Sequence, residues 1–271
     1  MAILTTFLTL LPIVHSTSSA TSYATSQLFI YHMHIDKTGG STLKTQHSHF
    51  FPGFTSCNRV LHVRSYGSKD IARVYEEVQK AADDASCNIF SYEAGHTVAS
   101  TIGRRLHPSR KLLILTFLRN PVMQYLSRVQ HDISAGRFSS ANEFYNAQHY
   151  FNRQSSFFNF ENGTGLSLPS ITFLGITESF RLSMCLFAFT LYDHIDFVMK
   201  KSCGCEVNVS NRNVRRLNMT DVRNYVPYSL IQQIQQTQRR DYALYMQAIH
   251  IFLNRVQFME KSLNRSFECL Y

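Results

Sequence analysis

The chain between Gln27 and Leu43 constrains the fold more than any other segment. An apolar run rich in strand formers, Leu28 to Ile35, feeds a short loop, Asp36-Lys37-Thr38-Gly39-Gly40-Ser41-Thr42, and a helix is expected from Ser41. A strand, a glycine-containing loop and a helix N-terminus together make an anion cradle. Backbone N–H groups point at the ligand, the helix dipole favours negative charge, and glycines allow close backbone approach. Lys37 adds a mobile cation, and Thr38, Ser41 and Thr42 add hydroxyl donors. The segment reads as a site for a phosphate or phosphosulfate group, against the plainer reading of a solvated strand-to-helix turn. The lysine precedes the glycines, so this is not the Gly-x-x-x-x-Gly-Lys-Ser/Thr loop of nucleoside triphosphatases.

A second segment points the same way. Lys111 to Leu118 is a nearly continuous apolar run that suits a buried parallel strand, and it ends in Arg119-Asn120-Pro121. Proline at a first helical position is preorganised for a helix start, so a helix is expected from Val122 to about residue 135. Arg119 then sits at the carboxyl end of a strand, where open α/β sheets bind ligands. Ser127 lies about two turns into that helix. An arginine fork with a hydroxyl can hold a terminal phosphate. The plain alternative is that Arg119 ends a strand and Ser127 faces solvent.

These segments resemble a known family. Ile35 to Leu43 (IDKTGGSTL) is similar to the 5′-phosphosulfate loop of Golgi-type carbohydrate sulfotransferases. Leu118 to Ser127 (LRNPVMQYLS) resembles their 3′-phosphate motif, including the Arg-to-Ser spacing, and Phe173 to Glu178 (FLGITE) resembles a third block. The nearest group is the heparan sulfate 6-O/2-O sulfotransferases. The three blocks occur in family order and cover about a fifth of the chain closely. The resemblance implies a P-loop-like, three-layer α/β sulfotransferase fold with a central, mainly parallel sheet flanked by helices. It implies 3′-phosphoadenosine 5′-phosphosulfate (PAPS) as co-substrate and a glycan hydroxyl as acceptor, with heparan sulfate the favoured glycosaminoglycan. Lys37 would stabilise the leaving phosphate; Lys37, Thr38, Gly39, Gly40, Ser41 and Thr42 would cradle the 5′-phosphate; Arg119 and Ser127 would bind the 3′-phosphate.

Sulfuryl transfer is an in-line displacement between oxygens, so catalysis rests on positioning and on charge stabilisation at the leaving group. The acceptor hydroxyl needs a base. In the resembled group a histidine after a short strand between the two phosphate motifs fills that role. His96, in Ser91 to Val98 (SYEAGHTV), stands there, with Glu93 able to orient it or act in its place. The chain has twelve histidines, and most must be structural or exposed. No Cys/His spacing makes a zinc site, and no metal is expected.

The charge balance agrees with an acidic partner. The net charge is +9, and no lysine run or nucleic-acid motif favours a nucleic acid over a polyanionic glycan. Basic residues cluster at Arg104 to Lys111, at Lys200-Lys201 and from Arg212 to Arg223; Arg215 and Arg216 are expected to line the donor or glycan cleft. Oligomeric state is left open.

Residues 1–26 read as a signal peptide or short membrane anchor plus linker, and residues 27–271 as one sulfotransferase domain. The apolar run Ala2 to Val14 has signal-peptide length and is short for a membrane span. This route predicts a secretory protein, in the Golgi lumen, anchored in the Golgi membrane or secreted. Sequons at Asn162, Asn208, Asn218 and Asn264 permit glycosylation. Six cysteines allow 15 pairings in an oxidising lumen, and sequence does not choose among them. Cys203 and Cys205 are drawn toward Cys269 as a guess, and Cys185, inside an apolar helical run, is expected to be a buried free thiol.

The remaining organisation is expected to be strand 28–35, helix 41–50, helix 70–85, strands 88–92 and 112–118, an irregular acceptor-binding stretch 136–170, strand 171–176, helix 178–191 and one long helix from Tyr228 to about Lys261. Two rivals differ in kind: a P-loop nucleotide or nucleoside kinase, which needs a lysine after the glycines, and a non-catalytic glycan binder on the same fold.

Overall fold

A computed structural model describes residues 28–40, 43, 55, 57, 76, 79–84, 87–93, 102–104, 106–147, 151–158, 168, 171–192, 203 and 226–267. Among the described residues there are four strands: β1 (Leu28–Met33), β2 (Ile89–Tyr92), β3 (Lys111–Leu118) and β4 (Phe173–Ile176). They form one sheet in the order β2-β1-β3-β4, and every neighbouring pair is parallel. The α/β class and the central parallel sheet expected from sequence are therefore present. Parallel pairing explains the composition. Crossover helices cover the sheet, so β1 is buried along its whole length and β3 from Leu113 onward, and both read as apolar runs rather than alternating ones.

Gly175 in β4 is fixed by close approach. A Cβ there would lie 2.4 Å from Cε1 of Phe117 on β3 and 3.1 Å from Cβ of Ser183. The outer edge of β2 is not bare. Cys57 donates its N–H to the Ile89 carbonyl at 2.8 Å, Ile89 donates to Thr55, and a disulfide joins Cys57 to Cys87.

The helices whose full extent lies among the described residues are α1 (Pro121–Ser134), α2 (Ala141–Asn146), α3 (Arg153–Phe158), α4 (Phe180–Tyr192), α5 (Tyr228–Thr237) and α6 (Arg239–Leu263). Asn120 caps α1, its Oδ1 accepting from Val122 and Met123, with Pro121 at the first position. One face of α1 (Val122, Tyr125, Leu126, Val129) packs with Phe144 of α2 and with Leu230 and Ile234 of α5. α4 is apolar nearly all round and lies in the main core against β4, as a buried helix must.

The stretch 136–170 is not wholly irregular, since it carries α2 and α3. Local caps hold α2: Ser140 Oγ accepts from the Glu143 N–H, and Glu143 accepts from the Ser139 N–H and hydroxyl. α3 is held from a distance. The buried carboxylate of Asp241 accepts the N–H groups of Gln154 at 3.0 Å and Ser155 at 2.7 Å.

The expected single C-terminal helix is two helices. At Gln238 the backbone leaves helical geometry (φ −92°, ψ 24°). Asn152 enters this break: its Oδ1 accepts from the N–H groups of Arg240 and Asp241, and its Nδ2 donates to the Thr237 carbonyl. The Gln238 side chain in turn accepts from the Asn152 N–H at 2.8 Å. A side chain more than 80 positions away thus satisfies the groups freed by the break.

Cys185 is not a free thiol; it is disulfide-bonded to Cys203, and both are fully buried. An apolar helical face accommodates a half-cystine as readily as a thiol, so periodicity could not tell them apart. Cys205 and Cys269 lie outside the described residues, as do residues 1–26, most of the helices expected at 41–50 and 70–85, and the sequons at Asn162, Asn208 and Asn218. No described helix is long and apolar enough to cross a membrane. Arg110, one of the clustered basic residues, is structural. Its guanidinium donates to the carbonyls of Ala82, Asp84, Leu28 and Cys87 and lies 5.0 Å from the Phe29 ring centroid, at the end of the sheet opposite the strand C-termini.

Candidate anion-binding site

From β1 the chain moves to one side of the sheet, to β2, and later to the other, to β3 and β4. The switch point falls between the C-terminal ends of β1 and β3, where loops diverge and leave a crevice. Both sequence-singled segments end there: Asp36 to Gly40 follows β1, and Arg119 follows β3.

The loop after β1 has unusual backbone geometry. Lys37 has φ +65° and Gly39 φ +94°, one on either side of Thr38. A lysine in the left-handed region is strained, and such strain persists only where surroundings hold it. Here three successive carbonyls are held. Asp36 C=O accepts from Gln124 Nε2 at 3.0 Å, Lys37 C=O from Arg119 at 3.1 Å, and Thr38 C=O from the Thr177 hydroxyl at 2.9 Å. Tying the carbonyls back to α1, to the β3 end and to the β4 end fixes the orientation of the peptide groups. A helix begins at Gly40, its first turn closed by Leu43 N–H to Gly39 C=O at 3.0 Å.

Both glycines are packed closely. A Cβ on Gly39 would touch the Phe180 ring at 3.4 Å, and one on Gly40 would lie 2.0 Å from His34 Nε2. Thr38 is fully buried and its hydroxyl donates to the Ile35 carbonyl at 2.7 Å, so that side chain staples the loop. Asp36 anchors the loop from below, its carboxylate receiving Arg128 at 3.1 Å and Arg153 at 3.3 Å. Arg128 continues to Asp132, which also receives Arg137 and the His131 ring. Burial works against the Asp132 carboxylate, but the Arg128 hydrogen bond and charge, the His131 hydrogen bond and the Arg137 charge outweigh it and hold it below the usual carboxylate range.

Arg119 is half-buried. Its peptide is bracketed by Gln154, which accepts from the Arg119 N–H at 2.9 Å and donates to its carbonyl at 2.8 Å. Burial lowers the Arg119 pKa, and the nearby Glu178 and Tyr245 partly oppose this; a guanidinium stays protonated throughout. Glu178 in turn accepts from the Asn120 N–H at 2.9 Å and from the Tyr245 hydroxyl at 3.0 Å. Burial, and then Glu178, raises the Tyr245 pKa. Beside this group a cavity of about 460 Å³ opens between α1, α5 and α6, lined by Asn120, Met123, Tyr228, Ile231 and Tyr242 among others.

Of the residues singled out from sequence, Lys37, Gly39, Gly40 and Arg119 are brought together at the switch point. Ser127 is half-buried on α1, three positions beyond Gln124 and hence on the flank of the helix that reaches the loop. Glu93 lies just beyond β2 and faces His34, not the Arg119 side, with Oε1 3.6 Å from His34 Nδ1. Ser41, Thr42, His96, Arg215 and Arg216 lie outside the described residues. Sequence reasoning missed His34 and the scaffold residues Gln124, Arg128, Arg153 and Gln154. His34 had a signal, since it shares a strand face with His32; Arg153 and Gln154 had none. Among the described residues no group of three or more His, Cys, Asp or Glu is arranged to hold a metal ion. No protein family, curated protein or solved structure matches the chain.

Proposed function

We propose that this chain is a PAPS-dependent carbohydrate O-sulfotransferase of the secretory pathway, of the heparan sulfate 6-O/2-O-like group. One observation carries the reading: Lys37 and Arg119 meet at the switch point of a parallel sheet, each at the carboxyl end of a central strand, joined by a hydrogen bond of 3.1 Å. Two cations on a backbone with fixed peptide groups suit a ligand with two separated anionic groups. In PAPS those are the 5′-phosphosulfate, taken by Lys37 and by Gly39 through Thr42, and the 3′-phosphate, taken by Arg119 and Ser127; the buried Thr38, expected among the phosphate ligands, instead donates both its N–H and its hydroxyl to the Ile35 carbonyl and only staples the loop. The cavity between α1, α5 and α6, which begins at Asn120 next to Arg119 in the chain, is assigned to the nucleoside.

In the proposed reaction the glycan hydroxyl oxygen attacks sulfur in line. The bond from sulfur to the bridging oxygen breaks, and its electron pair leaves on the 5′-phosphate, stabilised by Lys37. The hydroxyl proton passes to His96, or to Glu93 in its place. Arg215 and Arg216 are assigned to the acidic acceptor. Two disulfides support an oxidising compartment, and the sequon asparagine Asn264 is exposed at the left-handed C-cap of α6. Golgi residence and glycosylation are part of the proposal.

The test is transfer of labelled sulfate from PAPS to a panel of desulfated glycosaminoglycans by wild type, Lys37→Ala and His96→Ala. Transfer that collapses in both variants supports both roles, and the best acceptor names the glycan. Persistence in His96→Ala moves the base to Glu93. Binding of adenosine 3′,5′-bisphosphate without transfer points to an untested acceptor or an inactive enzyme, whereas glycan binding that survives loss of Lys37 and His96 without donor binding points to the non-catalytic glycan binder. Absence of both transfer and bisphosphate binding ends the reading.

A further inference from the structure

His34 and Glu93 form a couple at the C-terminal ends of β1 and β2. The β1–β2 register pairs His32 with Ser91, and continuing it by two residues sets His34 opposite Glu93 on the same face. His34 donates its N–H to the Tyr92 carbonyl at 2.9 Å, so its backbone is fixed by the sheet. Its Nδ1 lies 3.6 Å from the Glu93 carboxylate, an ion-pair distance. The other ring nitrogen, Nε2, lies over Gly40, close enough that an added Cβ would clash at 2.0 Å. The His34 side chain is 11% exposed, walled by the first residue of the helix. The ring thus faces the start of the helix that follows the loop.

The charges around this ring have opposing signs. His32 stacks on it at 5.3 Å; burial, and then the His34 charge, hold His32 well below its ordinary pKa, and Ser91 is hydrogen-bonded to its Nδ1. Within the loop, Lys37 is cationic, and the Asp36 carboxylate is bound by Arg128 and Arg153. The rings nearest from β3 and α4, Phe117 against His32 and Phe180 against Gly39, are uncharged. A proton on His34 is therefore favoured by Glu93 and opposed by the positive helix N-terminus and Lys37. An anion in the loop removes that opposition.

We propose that His34, held by Glu93, is a positioning residue of the loop that takes up a proton when an anion binds, so that affinity for the anion falls as pH rises. This rests on the anion-site reading above. By linkage, each unit of pH above the range where the ring is protonated costs at most about tenfold in affinity.

The experiment is calorimetry of adenosine 3′,5′-bisphosphate and of inorganic sulfate binding, from about pH 6 to about pH 8, in two buffers of different ionisation heat. Wild type, His34→Gln and Glu93→Gln are compared. The expected result is proton uptake by wild type with either ligand, and an affinity loss across that range about tenfold greater than in His34→Gln. Glu93→Gln should weaken binding several-fold near pH 6 and far less near pH 8, which a purely structural defect would not do. Should His34→Gln fail to fold, the Glu93→Gln comparison decides. Equal pH dependence in wild type and variants overturns the proposal, as does binding without proton uptake or no binding of either anion. Sulfate binding with proton uptake but no preference for the bisphosphate keeps this proposal and removes PAPS as donor.

Discussion

The guanidinium of Arg119 donates to the main-chain carbonyl of Lys37 across 82 positions of sequence at 3.1 Å. One cation thereby fixes the peptide that carries the other. Arg119 is a tether that holds a left-handed lysine in place and, in the proposed function, also a charge for the ligand.

The tether separates charge from geometry. Arg119→Lys keeps the charge and loses the fork that reaches the carbonyl. It is expected to lower kcat/KM for PAPS by roughly tenfold to a hundredfold, the worth of a charge-assisted hydrogen bond. Lys37→Ala should lose more, because in the proposed reaction it removes the group that stabilises the leaving oxygen. Steady-state kinetics with PAPS as the varied substrate checks both.

Gly40→Ala drives a methyl into the His34 ring, which is stacked on His32 and held by Glu93 and cannot swing away freely. The expected cost is about 1–3 kcal/mol of stability, with loss of anion binding. Adding His34→Ala should restore most of the stability. If Gly40→Ala alone unfolds at the wild-type denaturant midpoint, the close packing assigned to this pair is wrong.

The Asp132 carboxylate has a lowered folded-state pKa, so its stabilising contribution is present above its unfolded pKa and is lost as pH falls through the folded value. Asp132→Asn removes the carboxylate that Arg137 and His131 share and leaves Arg128 paired with Asp36, and should cost about 1–3 kcal/mol at neutral pH. The difference from wild type should narrow between neutral pH and a pH well below the ordinary Asp value of about 3.9, as the carboxylate is protonated in the folded state. Urea unfolding of both proteins at the two pH values is the measurement; a gap that stays constant would contradict the assignment.

The disulfide between Cys185 and Cys203 closes a loop of 18 residues between α4 and the segment beyond it. Cys185→Ala with Cys203→Ala should destabilise by about 3 kcal/mol. Peptide mapping without reduction should recover this pair and Cys57–Cys87 linked, and free thiols at these four positions would refute the pairing.

Elements whose signal is local are legible along the chain. Buried parallel strands must be continuously apolar, so β1 and β3 are visible as runs, and Asn120-Pro121 marks the start of α1 because cap and first turn are neighbours in the chain. The glycine loop was legible for the same reason: strand, glycines and helix start are consecutive. Tertiary structure decided what depends on groups far apart. Asn152 breaks the C-terminal helix and Asp241 starts α3, each acting from more than 80 positions away, and no periodicity records such a bond. The partner of Cys185, the arginines on Asp36, and the meeting of His34 with Glu93 and Gly40 have the same origin. A pattern along the chain reports which face is buried; which side chain meets it there is set by how the strands are ordered in the sheet.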